Sequence, residues 1–293
     1  MRRIGVVGVG LLGSAVAARL LKAGFEVVGY DTRPEQLRAL ASSGLVSAGS
    51  AAEVVKDVDA VFTILTTPDV VERVWLDAGG VLDAAAPATA LLQMSTVSPG
   101  LAKKIGEAAA ARGLRFLDTP VSGTSTAVAA GNGTIFAGGD RMLFEACRPM
   151  LETIAAKVVH VGEVGAASVA KLAANLIGGI NAIALAEALV LGAKAGLAPA
   201  ALLEALRQSP VRSGTMDMRG PLMVSHRFEP HIRLDLFLKD FGLMLKEGER
   251  LGVPLPLTSV AHQLCTAASA AGHGDEDLAA VITTLEYLAG IRS

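Results

Sequence analysis

Lys171 is the residue of this chain best suited to chemistry. In Gly165-Ala166-Ala167-Ser168-Val169-Ala170-Lys171-Leu172-Ala173-Ala174-Asn175 it stands among small and apolar neighbours, an unusual setting for a lysine. Asn175 follows four residues later, so on a helix the two share a face one turn apart. There the amide can hold the ammonium or a substrate oxygen. An apolar environment disfavours the charged amine and lets such a lysine give and take protons near neutrality. The same spacing also suits a lysine that snorkels from a helix end with Asn175 in water, and periodicity leaves both readings open.

A second constellation opens the chain. Arg3-Ile4-Gly5-Val6-Val7 leads into Gly8-Val9-Gly10-Leu11-Leu12-Gly13, helix-forming residues follow to about Ala23, and Val27-Val28-Gly29-Tyr30 ends on Asp31. A strand, a G-x-G-x-x-G turn, a helix and a strand ending on an acid make a dinucleotide-binding unit. Gly8 permits the tight turn, Gly10 lets backbone approach a pyrophosphate, and Gly13 lets the helix pack on the strand with its N–H groups facing the phosphates. Asp31 is expected to accept hydrogen bonds from the adenosine ribose. A carboxylate there repels a 2′-phosphate and favours NAD, whereas Arg33 can pair with that phosphate and leaves NADP open.

Composition narrows the ligand. Lys and Arg number 26 against 28 Asp and Glu, and no basic run is long enough for nucleic acid or anionic lipid, so a small molecule is expected. Cys147 and Cys265 lie far apart without a C-x-x-C spacing, which supports neither a disulfide framework nor a cysteine metal site and suits a reducing cytoplasm. Alanine and glycine inflate the mean hydropathy of +0.49. Arg2-Arg3, the apolar run and Ala15-Val16-Ala17 superficially resemble a signal peptide, but the glycines from Gly5 to Gly13 break its helix. Leu172 to Ala193 has the length of a membrane span yet carries Asn175, Asn181 and Glu187, so a buried central helix is expected.

Elements that position these residues follow from the pattern. β-rich runs at Ile4–Val7, Glu26–Tyr30, Ala60–Leu65, Ala90–Met94, Arg115–Asp118, Thr134–Ala137 and Val158–His160 alternate with helical stretches, which predicts a parallel, doubly wound sheet. From Gly165 the pattern is helical, near 166–195, 199–207, 235–251, 256–271 and 275–289, with Asp275 placed to cap the last. The expected fold is an α/β Rossmann-type dinucleotide-binding domain over 1–163, followed by an all-α domain over 164–293 for substrate binding and oligomerisation. A cleft between the two is the expected active site.

Further segments complete a family pattern. Met94-Ser95-Thr96-Val97-Ser98-Pro99 follows the cofactor unit, Asp118-Thr119-Pro120-Val121-Ser122-Gly123 reads as D-x-P-V-S-G, Lys171 and Asn175 read as K-x-x-x-N, and Phe237-Leu238-Lys239-Asp240 contains a lysine-aspartate pair. Gly274-Asp275-Glu276-Asp277 through Leu285-Glu286 closes the series. In this order, over nearly the whole chain, they resemble the β-hydroxyacid dehydrogenase family, which includes 3-hydroxyisobutyrate dehydrogenase and tartronate semialdehyde reductase and is related to 6-phosphogluconate dehydrogenase. The resemblance implies hydride transfer between NAD(P) and a small 3-hydroxy acid or its semialdehyde. It makes Lys171 the general acid/base, with Asn175 orienting it and the reacting oxygen. It further implies that Ser122, Gly123 and Thr124 hold the substrate carboxylate and that Lys239 encloses substrate and nicotinamide. Val9, Leu11, Leu12, Leu65, Thr66 and Thr96 join the glycines, Asp31 and Arg33 around the cofactor. No metal is required, and a homodimer or homotetramer is implied.

The chain departs from that pattern in two places. Thr124, Ser125, Thr126 and Ala127 replace a second glycine and a Gly-Ala pair. Their hydroxyls can read a more oxygenated acid or a sulfonate, as the Thr-Ser of sulfolactaldehyde reductases suggests, or simply pack the loop. Ala174 replaces an asparagine. Arg212, Ser213 and Arg219 could reach the cleft, His226 and His231 read as solvated loop residues, and Ile232-Arg233-Leu234-Asp235-Leu236 looks most like tartronate semialdehyde reductases. Two alternatives share the fold: an imine reductase, which usually has aspartate or tyrosine in place of Lys171, and a non-catalytic NAD(P)-binding interaction protein.

Overall fold

The computed structural model describes residues 1–291. The chain divides into two compact units, Met1–Lys171 and Leu172–Ser293.

The first unit is built on β1 (Arg3–Val7), β2 (Glu26–Tyr30), β3 (Val46–Ser47), β4 (Ala60–Thr63), β5 (Ala90–Gln93), β6 (Arg115–Asp118), β7 (Val121–Ser122), β8 (Thr134–Gly139) and β9 (Lys157–Gly162). The strands β3-β2-β1-β4-β5-β6 lie side by side, all parallel. Covered on both faces, these strands are apolar at nearly every position, and alternate residues feed two cores. Ile4, Val6, Phe62 and Leu92 enter one core, and Val7, Val61 and Leu91 the other. Trp75 anchors the second, edge-on to Phe116 at 5.3 Å with its Nε1 donating to Thr63 Oγ1 at 3.0 Å.

The chain runs outward from β1 to β3 and then crosses to β4, so the order reverses between β1 and β4. The crevice beyond the carboxyl ends of these two strands is where such sheets bind ligands. Beyond β6 the sheet is no longer parallel as the sequence pattern predicts: β8 runs antiparallel to β6 and β7, and β9 restores a parallel pair with β8. Residues 123–133, with only the five-residue helix Ser125–Ala129 among them, separate β7 from β8, shorter than the helical crossover of a parallel connection.

The second unit is helical. The long helix Ala166–Lys194 continues into it and is followed by Pro199–Arg207, Gly214–Ser225, Leu234–Leu251, Pro256–Ala268 and Val281–Leu288. Phe237 and Phe241, edge-to-face at 5.0 Å, sit in its core with Leu185, Leu189 and Met223. The helix Gly214–Ser225 escapes a periodicity reading because Gly214, Gly220 and Pro221 interrupt it. Ser213 starts it by accepting the Met216 N–H at 3.1 Å. The last helix begins at Val281 after a short turn capped by Asp277, whereas Asp275 is exposed and pairs with Arg233.

Asp277 is the polar centre of this unit. Its carboxylate, wholly buried, accepts from Arg219 Nε at 3.1 Å and from the backbone N–H groups of His231, Ile232 and Ala279 at 3.0, 3.1 and 2.9 Å. Arg219 is thereby a buried structural partner. His226 is exposed, as a solvated residue should be, and closes the helix Gly214–Ser225 in a left-handed conformation with Nε2 3.0 Å from both Glu286 oxygens. Asp277→Ala leaves the Arg219 charge buried without this partner and is expected to cost about 3–5 kcal/mol in urea unfolding. A loss below about 1 kcal/mol would show that water reaches Arg219 and carries the charge.

Candidate active site

The glycine-rich turn is shaped by close approach. Gly8 has φ +92°, and a Cβ there would lie 2.2 Å from Ile64 O, while one on Gly13 would lie 1.9 Å from Gly8 O. Any larger residue separates β1, β4 and the helix Leu11–Lys22. That helix starts at Gly10 with no side-chain cap and no acid in its first turn, so its leading N–H groups suit phosphate oxygens. Val9 is buried, Leu12 packs on the core and Leu11 is exposed. At the end of β4, the Leu65 N–H donates to Ser95 Oγ at 2.8 Å, which ties the segment carrying Leu65 and exposed Thr66 to the segment carrying half-buried Thr96.

Asp31 closes the turn. Its Oδ2 accepts the Val9 N–H at 2.9 Å and its Oδ1 the Arg33 N–H at 2.9 Å and Arg33 Nε at 3.4 Å, which leaves a lone pair on Oδ2. The Arg33 side chain folds back, its Nε 3.4 Å from Asp31 Oδ1 and its guanidinium beside Gly10, where a Cβ would meet it at 3.3 Å. These residues fit a dinucleotide: uncapped amides for the pyrophosphate, a carboxylate for a ribose and an arginine at its edge.

Ser122 ends β7, and Gly123 follows with φ +141°. Thr124 caps the helix Ser125–Ala129 by accepting the Ala127 N–H at 3.2 Å, and its hydroxyl lies 2.8 Å from Thr126 Oγ1. With one proton and two lone pairs, the Thr124 hydroxyl has a single position left for a ligand.

Lys171 and Asn175 are both buried, at 8% and 9% exposure, which removes the reading in which they face solvent. Asn175 Nδ2 donates to Asp240 Oδ2 at 2.8 Å, so the amide is fixed with its Oδ1, an acceptor, turned away from Asp240. Lys239 Nζ lies 3.0 Å from Asp240 Oδ1, at ion-pair distance but off the line of a hydrogen bond. Arg212, by contrast, is exposed and pairs with Asp217 at 3.0 Å.

One carboxylate here carries no role in the sequence reading. Asp118, fully buried at the end of β6, accepts the Ser168 N–H at 2.8 Å and the Ser168 hydroxyl at 2.9–3.0 Å. Desolvation pushes its pKa up to about 6 against these hydrogen bonds, which pull it down. The motif marks Asp118 and Asp240, but that both are buried hydrogen-bond acceptors is a tertiary fact.

Two family models match the chain in succession. Residues 3–162 match the NAD binding domain of 6-phosphogluconate dehydrogenase, and residues 165–285 match the model described as NAD-binding of NADP-dependent 3-hydroxyisobutyrate dehydrogenase. The chain belongs to the β-hydroxyacid dehydrogenase family. As a member it is an oxidoreductase that uses a nicotinamide dinucleotide. It is 37% identical over 290 residues to 2-(hydroxymethyl)glutarate dehydrogenase of Eubacterium barkeri, covering 99% of this chain and 96% of that one. It is also 37% identical over 282 residues to L-threonate dehydrogenase of Cupriavidus necator, covering 96% and 95%. The crystal structure of 3-hydroxyisobutyrate dehydrogenase from Salmonella typhimurium superposes with a TM-score of 0.88 at 33% identity, covering 97% of this chain and 99% of that one. Imine reductases are more distant members of the same fold.

Asp118 makes stability pH-dependent in a defined direction. Between about pH 4 and pH 6 the native protein keeps a proton that the unfolded chain has released, so stability falls as pH rises through this window. Relative to Asp118→Asn, the protein is expected to lose about 3 kcal/mol across it in denaturant titrations. Parallel pH profiles for the two proteins would place the Asp118 carboxyl at its ordinary value.

Proposed function

We propose that the protein interconverts a small 3-hydroxy acid and its semialdehyde, with Lys171 as general acid/base. The observation that carries this reading is the burial of Lys171 and Asn175 one turn apart on an apolar helix, with the Asn175 amide fixed by Asp240. In the oxidative direction the neutral Lys171 amine takes the substrate hydroxyl proton as the carbinol C–H bond breaks; in reduction it returns that proton to the carbonyl oxygen. Gly8, Gly10, Gly13, Asp31 and Arg33 would hold a nicotinamide dinucleotide, whose chemistry would be to take up or supply the hydride. Asn175 orients Lys171 and the reacting oxygen. Ser122, Gly123 and Thr124 hold the carboxylate, or a sulfonate in its place, and Lys239 encloses substrate and nicotinamide. The relatives named above act on acids that pair a carboxylate with a nearby hydroxyl, which supports this substrate class. In this reading residues 1–163 bind cofactor, residues 164–293 serve substrate binding and self-association, and the enzyme works in the cytoplasm.

NAD is the preferred cofactor on the strength of Asp31, with NADP accepted through Arg33. A homodimer or homotetramer is supported by the long helix: less than half of its most apolar window is buried, and Ile177 and Leu191 are exposed on it. Exposed Leu288 flanks a groove with Leu191, rimmed by Glu187 and Lys194, charges of opposite sign that a second copy can match.

The decisive assay follows reduced nicotinamide absorbance with NAD or NADP and a panel of 3-hydroxyisobutyrate, glycerate, threonate, sulfonated analogues and simple amines. Turnover of a hydroxy acid is expected; turnover of amines alone would replace the reading with imine reduction. Lys171→Ala should keep cofactor binding and lose at least about a hundredfold in kcat, and unchanged turnover would discard its role. Asp31→Ala should weaken NAD more than NADP in direct titration; equal losses would mean that Asp31 does not read the ribose. In sedimentation the protein should run as a dimer or larger, and Leu191→Glu should shift it toward monomer; a monomeric parent protein would end the self-association proposal.

A further inference from the structure

Asp118 joins the substrate loop to the turn that bears Lys171. Along the chain it is four residues before Ser122, with only Thr119 and Pro120 between β6 and β7. Through space its carboxylate takes the N–H of Ser168 at 2.8 Å and the Ser168 hydroxyl at 2.9–3.0 Å. Gly165 directly precedes the helix Ala166–Lys194, and Ser168 lies in its first turn, where backbone N–H groups have no partner within the helix. Asp118 therefore caps this helix from a neighbouring strand, its charge set against the positive end of the helix dipole. Lys171 is three residues beyond Ser168, on the same side of the helix.

A stability role alone does not call for this residue. A helix start is capped as well by a local serine, threonine or asparagine, without the cost of burying a charge. The cross-strand neighbours of Asp118 are Gln93 on β5 and Gly138 on β8, neither of them a cation. What the carboxylate adds is two oxygens that hold the backbone N–H and the hydroxyl of Ser168 at once, which fixes the first turn through main chain and side chain together. We propose that Asp118 is a positioning residue that sets Lys171 relative to the substrate loop. This rests on the reading of Lys171 as the general acid/base, and a displacement of about 1 Å in such a group is enough to cost on the order of a hundredfold in rate.

The test compares Asp118→Ala, Asp118→Asn and Ser168→Ala by hydrogen exchange at amides 165–170, direct NADH titration, and kcat and KM on whichever hydroxy acid the protein turns over. For Asp118→Ala we expect first-turn exchange faster by about tenfold or more, NADH affinity within about threefold, and kcat down by roughly thirtyfold or more with KM little changed. Asp118→Asn keeps one acceptor oxygen and should recover part of kcat. Should Asp118→Ala fail to fold, Ser168→Ala and Asp118→Asn carry the test, each with a several-fold loss in kcat at unchanged NADH affinity. Undiminished kcat in folded variants overturns the proposal, as do losses in kcat, KM and NADH affinity that move together. If no hydroxy acid is turned over at all, the catalytic reading fails by itself, and unchanged first-turn exchange in the variants still overturns the clamp.

Discussion

Keeping a lysine and an asparagine out of water on an otherwise apolar helix is the constraint from which much of this protein follows. A buried amide left unbonded costs more than a typical hydrogen bond returns, and a buried amine more still, so the helix Ala166–Lys194 needs fixed partners. Asp240 supplies one by accepting from Asn175, and that bond decides which end of the amide is presented as an acceptor. Asp118 meets the start of the same helix at Ser168. Both carboxylates are almost or entirely inaccessible, so these contacts are little screened and strongly directional.

The cofactor end depends on a different restriction, the contact of backbone with backbone. Gly8 and Gly13 are needed because β1, β4 and the following helix meet at distances that leave no room for a Cβ, and this packing aims the uncapped helix N-terminus into the crevice beyond the strands. Asp31 stiffens the turn by holding the Val9 N–H, so the acid at the end of β2 is part of the scaffold. Arg33, folded over Asp31, changes the electrostatics that the bare motif suggests: the site presents a carboxylate and a guanidinium together. The loop after β7 shows the same economy, because the Thr124 hydroxyl spends most of its capacity on a helix cap and on Thr126.

The sequence by itself determined the order of the elements, the Rossmann-type half and the helical half, the glycine turn with its acid, and the Lys171–Asn175 pair. These are written in the sequence pattern: short continuous apolar runs, glycines where no side chain fits, and two polar residues four apart in an apolar helix. It did not show that β8 runs antiparallel, because direction depends on how little chain is available to cross the sheet. It concealed the helix Gly214–Ser225 behind two glycines and a proline, and it placed a cap on Asp275 that belongs to Asp277, the one of the two that is buried against Arg219. Only the tertiary structure decided that Lys171 and Asn175 are buried, that Asp240 orients Asn175 and that Asp118 holds the helix start before Lys171. Burial and hydrogen-bond partnership belong to residues distant in sequence, and no local pattern records which acid will be left without water.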